Sequence, residues 1–305
     1  MHILQYIYID RNIYLIKNVN RTSSRQSRFF MKNNGSKLLP VSNNNEINRL
    51  ICQATCWEPE TEILFDQLRI SPGWKCVDLG CGPIGILGPL SNRVGVRGEV
   101  IGLDANPECI KTATEFINQN RLLNVKVFNG DLYEKILKPY TFNLTHSRFV
   151  FTQIGCDRLL LEMMIELTRL GGVVISQESD WTTWNCYPKN ASWQKIRNAL
   201  IALYENEGGD INAGQRTYKM FKESDLADVQ MRTTIKALPI GHLYRSGMNQ
   251  MATSLRERII GANILTDDEF DEALEECNQV VNDPGTIIFS YVLCQVWGYV
   301  KKLYT

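Results

Sequence analysis

Between residues 75 and 178 five short apolar segments alternate with longer stretches, several of them helical in pattern. The five are KCVDLG (75–80), EVIGLD (99–104), NVKVFNGD (124–131), TFNLTHS (141–147) and GGVVISQE (171–178). Each has strand length, and EVIGLD and GGVVISQE centre on consecutive Val and Ile, as expected of strands buried on both faces. Between them, segments 107–122, with Pro107 in the first turn, and 157–170, with its Leu/Met/Ile stripe, carry helical spacing. This alternation predicts right-handed crossovers and a doubly wound α/β fold around a mostly parallel sheet.

The flanking sequence has a different rhythm. Residues 46–68 read as helical, divided in two by Pro59. After the fifth strand come a helix over 192–207, a glycine break at EGGD, a short helix over 217–226 and a strand over 229–238. Residues 242–283 read as helical, with Thr266 capping LTDDEFDEALEEC. TIIFSYVLCQVWGYV (286–300) reads as an apolar terminal strand running into a short helix. The expected organisation is an extension and linker over 1–45, then one domain over 46–305. Within that domain lie a helical cap (46–70), a cofactor-binding core (71–180) and a helical insertion (240–284).

Lys+Arg and Asp+Glu balance at 33 each, so bulk charge favours neither nucleic acid nor an anionic membrane. No apolar run approaches the roughly 20 residues needed to span a bilayer. The nine cysteines are scattered without a C-x-x-C pair, which points to reduced thiols in a cytoplasmic protein and to no metal site. The first thirty residues, rich in Ile, Tyr, Asn and Arg, read as a peripheral or poorly ordered extension, with a targeting segment as the alternative.

The chemistry concentrates at VDLGCGPIG, where Gly80, Gly82 and Gly85 satisfy G-x-G-x-x-G. Glycines at a strand end let backbone approach a ligand, and the amides of the next helix suit an anion. Pro83 is expected at that helix start. Asp78 complicates a dinucleotide site, because its carboxylate would repel a pyrophosphate but attract an ammonium. A ligand with an amino-acid head carries both an ammonium and a carboxylate. Asp104, at the next strand end, suits ribose hydroxyls, and Asp131, at the third, could accept from an adenine amino group.

This ordered set resembles the class I S-adenosylmethionine-dependent methyltransferases. VDLGCGPIG is similar to their first motif, VIGLDAN to the acidic second-strand motif, NGD to the adenine motif and LTRLGGVVISQE to a later helix-turn-strand motif. HSRFVFTQIG resembles the segment after strand four in small-molecule members related to ubiquinone and menaquinone biosynthesis enzymes. The resemblance covers about residues 46–180, with Leu170 standing where proline is usual. It implies a Rossmann-like, seven-stranded, mostly parallel sheet with an antiparallel last strand. It also implies S-adenosylmethionine as cofactor, with S-adenosylhomocysteine as product. Asp78, Gly80, Cys81 and Gly82 would then serve the methionine end and Asp104 and Ala105 the ribose. Gly130, Asp131 and Leu132 would serve the adenine. His146 to Phe149, with Ser147 and Arg148 as the cofactor contacts among them, would lie beneath the sulfonium and adenosine.

His146, Glu178 and Asp180 stand as candidate catalytic groups near the expected mouth. QESDWTTWNCYP reads as an aromatic, acidic loop over the cofactor edge, so that Trp181 and Trp184, with Gln53 and Trp57 on the first helix, would bind substrate. GGDINAGQRTYKMF would close the acceptor site from the other side or simply connect. The late insertion would supply acceptor specificity or homodimer contacts. The absence of an Asn-Pro-Pro-aromatic motif after strand four, and of a basic aromatic surface, leaves a small-molecule acceptor. Two other readings stand beside methyl transfer: an NAD(P)-dependent oxidoreductase, and a methyltransferase-fold protein that binds the cofactor without transferring methyl.

Overall fold

The computed structural model describes residues 6–9, 12–15, 44–134 and 136–301. The expected extension and linker over 1–45 therefore lies almost wholly outside the described residues. Its exceptions are Asn44 and Asn45, which open the first helix, and an antiparallel strand pair, β1 (Tyr6–Ile9) and β2 (Asn12–Leu15).

The body is a seven-stranded sheet of order β5-β4-β3-β6-β7-β12-β9. Strands β3 (Lys75–Leu79), β4 (Glu99–Asp104), β5 (Val125–Asn129), β6 (Phe142–Arg148) and β7 (Thr168–Asp180) run parallel. β12 (Val292–Val300) inserts antiparallel between β7 and β9 (Leu226–Thr234), in register from Val292 opposite Asp180 to Tyr299 opposite Val173. The five parallel strands and the antiparallel last strand are those expected. The 229–238 segment divides: its first part lies in β9, while β10 (Ala237–Leu238) leaves for a separate antiparallel sheet. There it pairs with β11 (Ile287–Phe289), which pairs in turn with β8 (Asn185–Tyr187). The terminal segment is likewise two strands in two sheets and ends with no helix among the described residues.

Helix α1 (Asn44–Gln67) runs unbroken through Pro59. A proline within a helix costs about 3 kcal/mol through its missing amide and its ring. Burial of Trp57, Leu64 and Phe65 around it outweighs this, at roughly 1.5–3 kcal/mol per large apolar side chain. Pro83 lies in the turn ahead of α2 (Leu87–Val94), not at its first residue. α3 (Pro107–Gln119) starts as expected, with Asn106 Oδ1 accepting from the amides of Glu108 (2.9 Å) and Cys109 (3.4 Å). After β6 come α4 (Val150–Ile154) and α5 (Arg158–Leu167). α5 stops at Thr168, whose hydroxyl donates back to Met164 O at 2.7 Å as β7 begins.

α6 (Ala191–Asn206) and α7 (Ala213–Lys222) follow the small sheet, and α7 packs across β7 and β12. The 242–283 region resolves into α8 (Gly247–Ser254), α9 (Arg256–Gly261) and α10 (Asp267–Asn282). Apolar clusters cover both faces of the large sheet. A third, aromatic cluster joins α1, α6, α8 and α10 and holds Trp57, Trp181, Trp184, Trp193 and Tyr291. No helix among the described residues is long and apolar enough to cross a membrane.

Candidate active site

The strand order reverses at β3, with β4 on one side and β6 on the other, so the loops leaving their C-terminal ends diverge. A cavity of about 440 Å³ occupies that gap, a size ordinary for a small-ligand site. Its floor is the glycine turn after β3. Gly82 has φ +57°, and a Cβ there would project into open space. Gly85 has φ +46°, and a Cβ there would collide with Cys81 O and stand 2.6 Å from Asp78 Oδ2. Only glycine lets the backbone curl this closely around the carboxylate.

Two acids close the turn from the strand ends. Asp104 Oδ2 accepts from the Gly82 amide and Oδ1 from the Asn106 amide, both at 2.8 Å. Burial holds the Asp104 carboxyl above its ordinary pKa, although these two amides pull it down. Asp78 accepts from the Ile86 amide (3.4 Å) on one oxygen and faces His146 Nδ1 (2.7 Å) on the other. Arg148 lines the same cavity, tied by Nη2 to Gly85 O (3.1 Å) and by Nη1 to Thr61 Oγ1 (3.4 Å). A carboxylate and a guanidinium beside one bent turn complement a zwitterion.

Behind Asp78 a line of buried polar groups crosses the sheet. Gln177 Nε2 donates to His146 Nε2 (2.9 Å), so the proton of the neutral imidazole sits on Nδ1 and is donated to Asp78. Gln177 Oε1 accepts from Thr61 Oγ1 (3.2 Å) and from Gln295 Nε2 (2.9 Å). Gln295 Oε1 accepts from Arg232 Nη1 (3.0 Å), and Arg232 pairs with Glu60 (2.8 Å). Burial lowers the His146 pKa, opposed by Asp78.

A second, small cavity of about 20 Å³ adjoins the first and shares Gln53, Phe149 and Gln153 with it. Its other walls include Arg49, Ser179, Trp181, Tyr204, Met251 and Tyr291. Gln53 Nε2 donates to Tyr291 (2.9 Å) and Tyr244 (3.2 Å), and Trp57 Nε1 to Tyr291 (2.7 Å), which fixes this wall.

Of the expected cofactor contacts, Asp78, Gly80, Cys81, Gly82, Asp104, Ala105, Leu132 and Arg148 line the large cavity. Ser147 does not: it is fully buried, with its hydroxyl against Met164 Sδ at 3.7 Å. Asp131 Oδ1 is engaged by the Tyr133 amide (2.9 Å), and neither Asp131 nor Gly130 reaches the cavity wall. The Cys81 thiol, pushed up by burial, packs towards Gly102.

The three expected catalytic groups are not at a mouth. His146 has both ring nitrogens engaged. Glu178 is sealed beneath α4, accepting from the amides of Val150 (3.1 Å), Phe151 (3.2 Å) and Thr152 (2.9 Å). Asp180 receives the Thr182 amide (2.9 Å) and Gln215. QESDWTTWNCYP is therefore strand, one short turn and strand, not a loop over the cofactor edge. Trp184 and Trp57 line neither cavity; Trp184 stacks edge-on against Trp181 at 4.9 Å. Gln53 and Trp181 do face the small cavity. The GGDINAG stretch connects: the Asp210 amide donates to Thr152 O at 2.9 Å.

Sequence reasoning missed Arg49, Leu50 and Ala54, although they share α1 with Gln53. It also missed Gln153, four residues past Phe149. Tyr204, Met251 and Tyr291 carried no local signal, because only folding brings them to α1.

Comparison with known proteins places this architecture. Residues 70–225, just over half of the chain, match the methyltransferase domain family. A demethylmenaquinone methyltransferase of Bacillus cytotoxicus is 28% identical over 127 residues, 42% of this chain and 52% of that one. The chain spans about half the length of the curated relatives it matches. Among solved structures, the YcgJ protein of Bacillus subtilis superposes with a TM-score of 0.52 at 17% identity, covering 80% of this chain and 99% of that one. Phosphoethanolamine N-methyltransferase 2 of Haemonchus contortus, in complex with phosphomonomethylethanolamine and S-adenosylhomocysteine, gives 0.51 at 14% identity, covering 81% and 53%. With the strand order, the glycine turn and the family match in agreement, the chain belongs to the methyltransferase domain family, in its class I, S-adenosylmethionine-dependent form.

Proposed function

We propose that this protein transfers the methyl group of S-adenosylmethionine to a small organic acceptor, within a single domain over 46–305. The observation that carries the reading is the large cavity at the strand-order reversal, which gathers Asp78, the glycine turn, Asp104 and Arg148. The small, partly aromatic cavity adjoins it and shares Gln53, Phe149 and Gln153. S-Adenosylmethionine supplies an electrophilic methyl on a sulfonium.

The residues fit such a donor. Asp78 is placed to receive the ammonium of its amino-acid head and Arg148 the carboxylate, with the open face at Gly82 admitting the chain between them. Asp104 suits the ribose hydroxyls, and Leu132 the apolar face of the base. His146 acts through Asp78: it donates to one carboxylate oxygen and so sets the orientation of the other. Gln53, Phe149 and Gln153 line both cavities, which supports a role for them in contacting an acceptor. His146, Glu178 and Asp180 line neither cavity, so the chain works by alignment and exclusion of water, with no general base from that set. The acidic Asp78 against the turn counts against a dinucleotide pyrophosphate.

Calorimetry with S-adenosylmethionine, S-adenosylhomocysteine, NADH and NADPH tests the assignment. Both sulfur nucleosides are expected to bind and neither nicotinamide; binding of a reduced nicotinamide alone would overturn the reading. Asp78→Ala and Asp104→Ala are each expected to weaken S-adenosylhomocysteine about tenfold or more, the scale of a lost charge-assisted hydrogen bond. Unchanged affinity in both variants would refute the residue roles.

A further inference from the structure

The line of buried polar groups behind Asp78 has a fixed direction. Sheet register places its members: Asp78 lies opposite His146, and Gln177, Gln295 and Arg232 lie opposite one another on β7, β12 and β9. Arg232 can only donate, so the Gln295 atom that meets its Nη1 at 3.0 Å must be the amide oxygen. The Glu60 carbonyl oxygen can only accept, so the Gln295 nitrogen must face it, at 3.1 Å. Held from both ends, the Gln295 amide cannot flip, and its second hydrogen goes to Gln177 Oε1 (2.9 Å). Gln177 is thereby left with its own NH2 against His146 Nε2 (2.9 Å). A second proton on the imidazole would have to sit at Nε2, directly against that donor. Burial of His146, Gln177 and Gln295 keeps water from relieving the clash.

We infer that Gln177 is a positioning residue that keeps His146 neutral, so that the Asp78 carboxylate retains its charge for the ammonium of the bound ligand. The inference rests on the proposed role of Asp78 in S-adenosylmethionine binding and deepens it by naming what sets that carboxylate's charge balance. An imidazolium 2.7 Å from Asp78 Oδ1 would complete an internal ion pair and leave less attraction for a second cation. A neutral imidazole donates one hydrogen bond, orients the carboxylate and leaves its charge uncompensated. Burial and the Arg148 guanidinium also disfavour a charged ring, whereas Asp78 favours one. The contact with Gln177 therefore acts where the electrostatic preferences oppose each other. Arg232, at the far end, is itself held by Glu60 (2.8 Å), which Lys236 also meets at 3.1 Å.

The test follows the histidine ring nitrogens of the full-length, 15N-labelled protein by NMR between about pH 5.5 and 8. The chain has three histidines, and His146→Asn identifies the His146 signals. In the unaltered protein they are expected to show the neutral ring protonated at Nδ1 at pH 7. Gln177→Ala removes the facing donor and admits water, so His146 should take up its second proton at higher pH than in the unaltered protein. Gln295→Met, which frees the Gln177 amide to turn its oxygen towards Nε2, should raise that titration too. Calorimetry with S-adenosylhomocysteine then separates charge from structure. Below the His146 titration of Gln177→Ala, the variant should bind about tenfold more weakly than the unaltered protein, the scale of a lost charge-assisted contact. Above it, the two should bind alike. An imidazolium or an Nε2-protonated ring in the unaltered protein, a titration raised in neither variant, or equal weakening at both pH values would each overturn the inference. The NMR of the unaltered protein decides the first point even if a variant fails to fold. Failure of S-adenosylhomocysteine to bind the unaltered protein would instead overturn the methyltransferase reading, while the ligand-free signals would still decide the charge of His146.

Discussion

Glu178 illustrates how a residue can carry the chemistry of an active site without belonging to one. Its carboxylate gathers three amides and the Thr152 hydroxyl (2.7 Å) at the start of α4, a helix whose preceding residue, Phe149, sits at φ +59° and offers no side-chain cap. Burial pushes its pKa up to about 7, against the pull of those donors. The folded protein therefore holds a proton that the unfolded chain releases above about pH 4.5. The stability this group contributes is complete below that value and is lost as pH rises through about 7, on the order of 3 kcal/mol in all. His146 has the opposite sign: its pKa is lowered, so the unfolded state takes up the proton first and stability falls as pH drops below about 6.5. Urea denaturation of the unaltered protein and Glu178→Gln between pH 5 and 8 separates the two. The stability difference, unaltered minus variant, should shrink as pH rises to about 7 and then level off. A difference independent of pH would show that Glu178 stays charged throughout.

At the scale of elements, local chemistry and tertiary packing each win in different places. The start of α10 is decided locally. Thr266 Oγ1 accepts from the Glu269 amide at 3.3 Å while Glu269 reaches back to the Thr266 amide at 3.0 Å, a capping box readable from the sequence. Thr266→Ala should cost about 1 kcal/mol and roughly 2 °C in Tm by calorimetry, with S-adenosylhomocysteine affinity unchanged. α1 is decided by packing: Pro59 reads locally as a break, yet Cys56 and Trp57 lie in the aromatic cluster and Leu64 and Phe65 in the sheet core. The 229–238 segment shows the same override in a strand, because its two ends pair with different sheets.

For the whole molecule, the decisive feature is that the antiparallel β12 returns the chain between β7 and β9, with Tyr291 just ahead of it lining the small cavity. That return joins the first helix, the sheet edge and the last strand around the two cavities. Ligand binding should therefore be felt well beyond the glycine turn. Hydrogen exchange with saturating S-adenosylhomocysteine is expected to protect residues 50–54 of α1 as well as the loops after β3 and β4. At one hundred times Kd, the ligand should also stabilise the fold by about 2.7 kcal/mol. Protection confined to the β3 and β4 loops would show that α1 takes no part in closing the cleft.

Sequence alone determined the parallel core, the glycine turn and the places of Asp78 and Asp104, because strand periodicity and strand-end position are local properties that parallel geometry converts directly into a site. Tertiary structure alone decided which polar residues face the cavities. His146, Glu178 and Asp180 sit in or beside strands whose neighbours consume their hydrogen-bonding capacity, and no local pattern records those neighbours. Arg49, Gln153 and Tyr291 gain their meaning only when segments hundreds of residues apart are packed together. Burial and partnership are set across the fold, and for that reason the lining of the large cavity was largely legible and that of the small one was not.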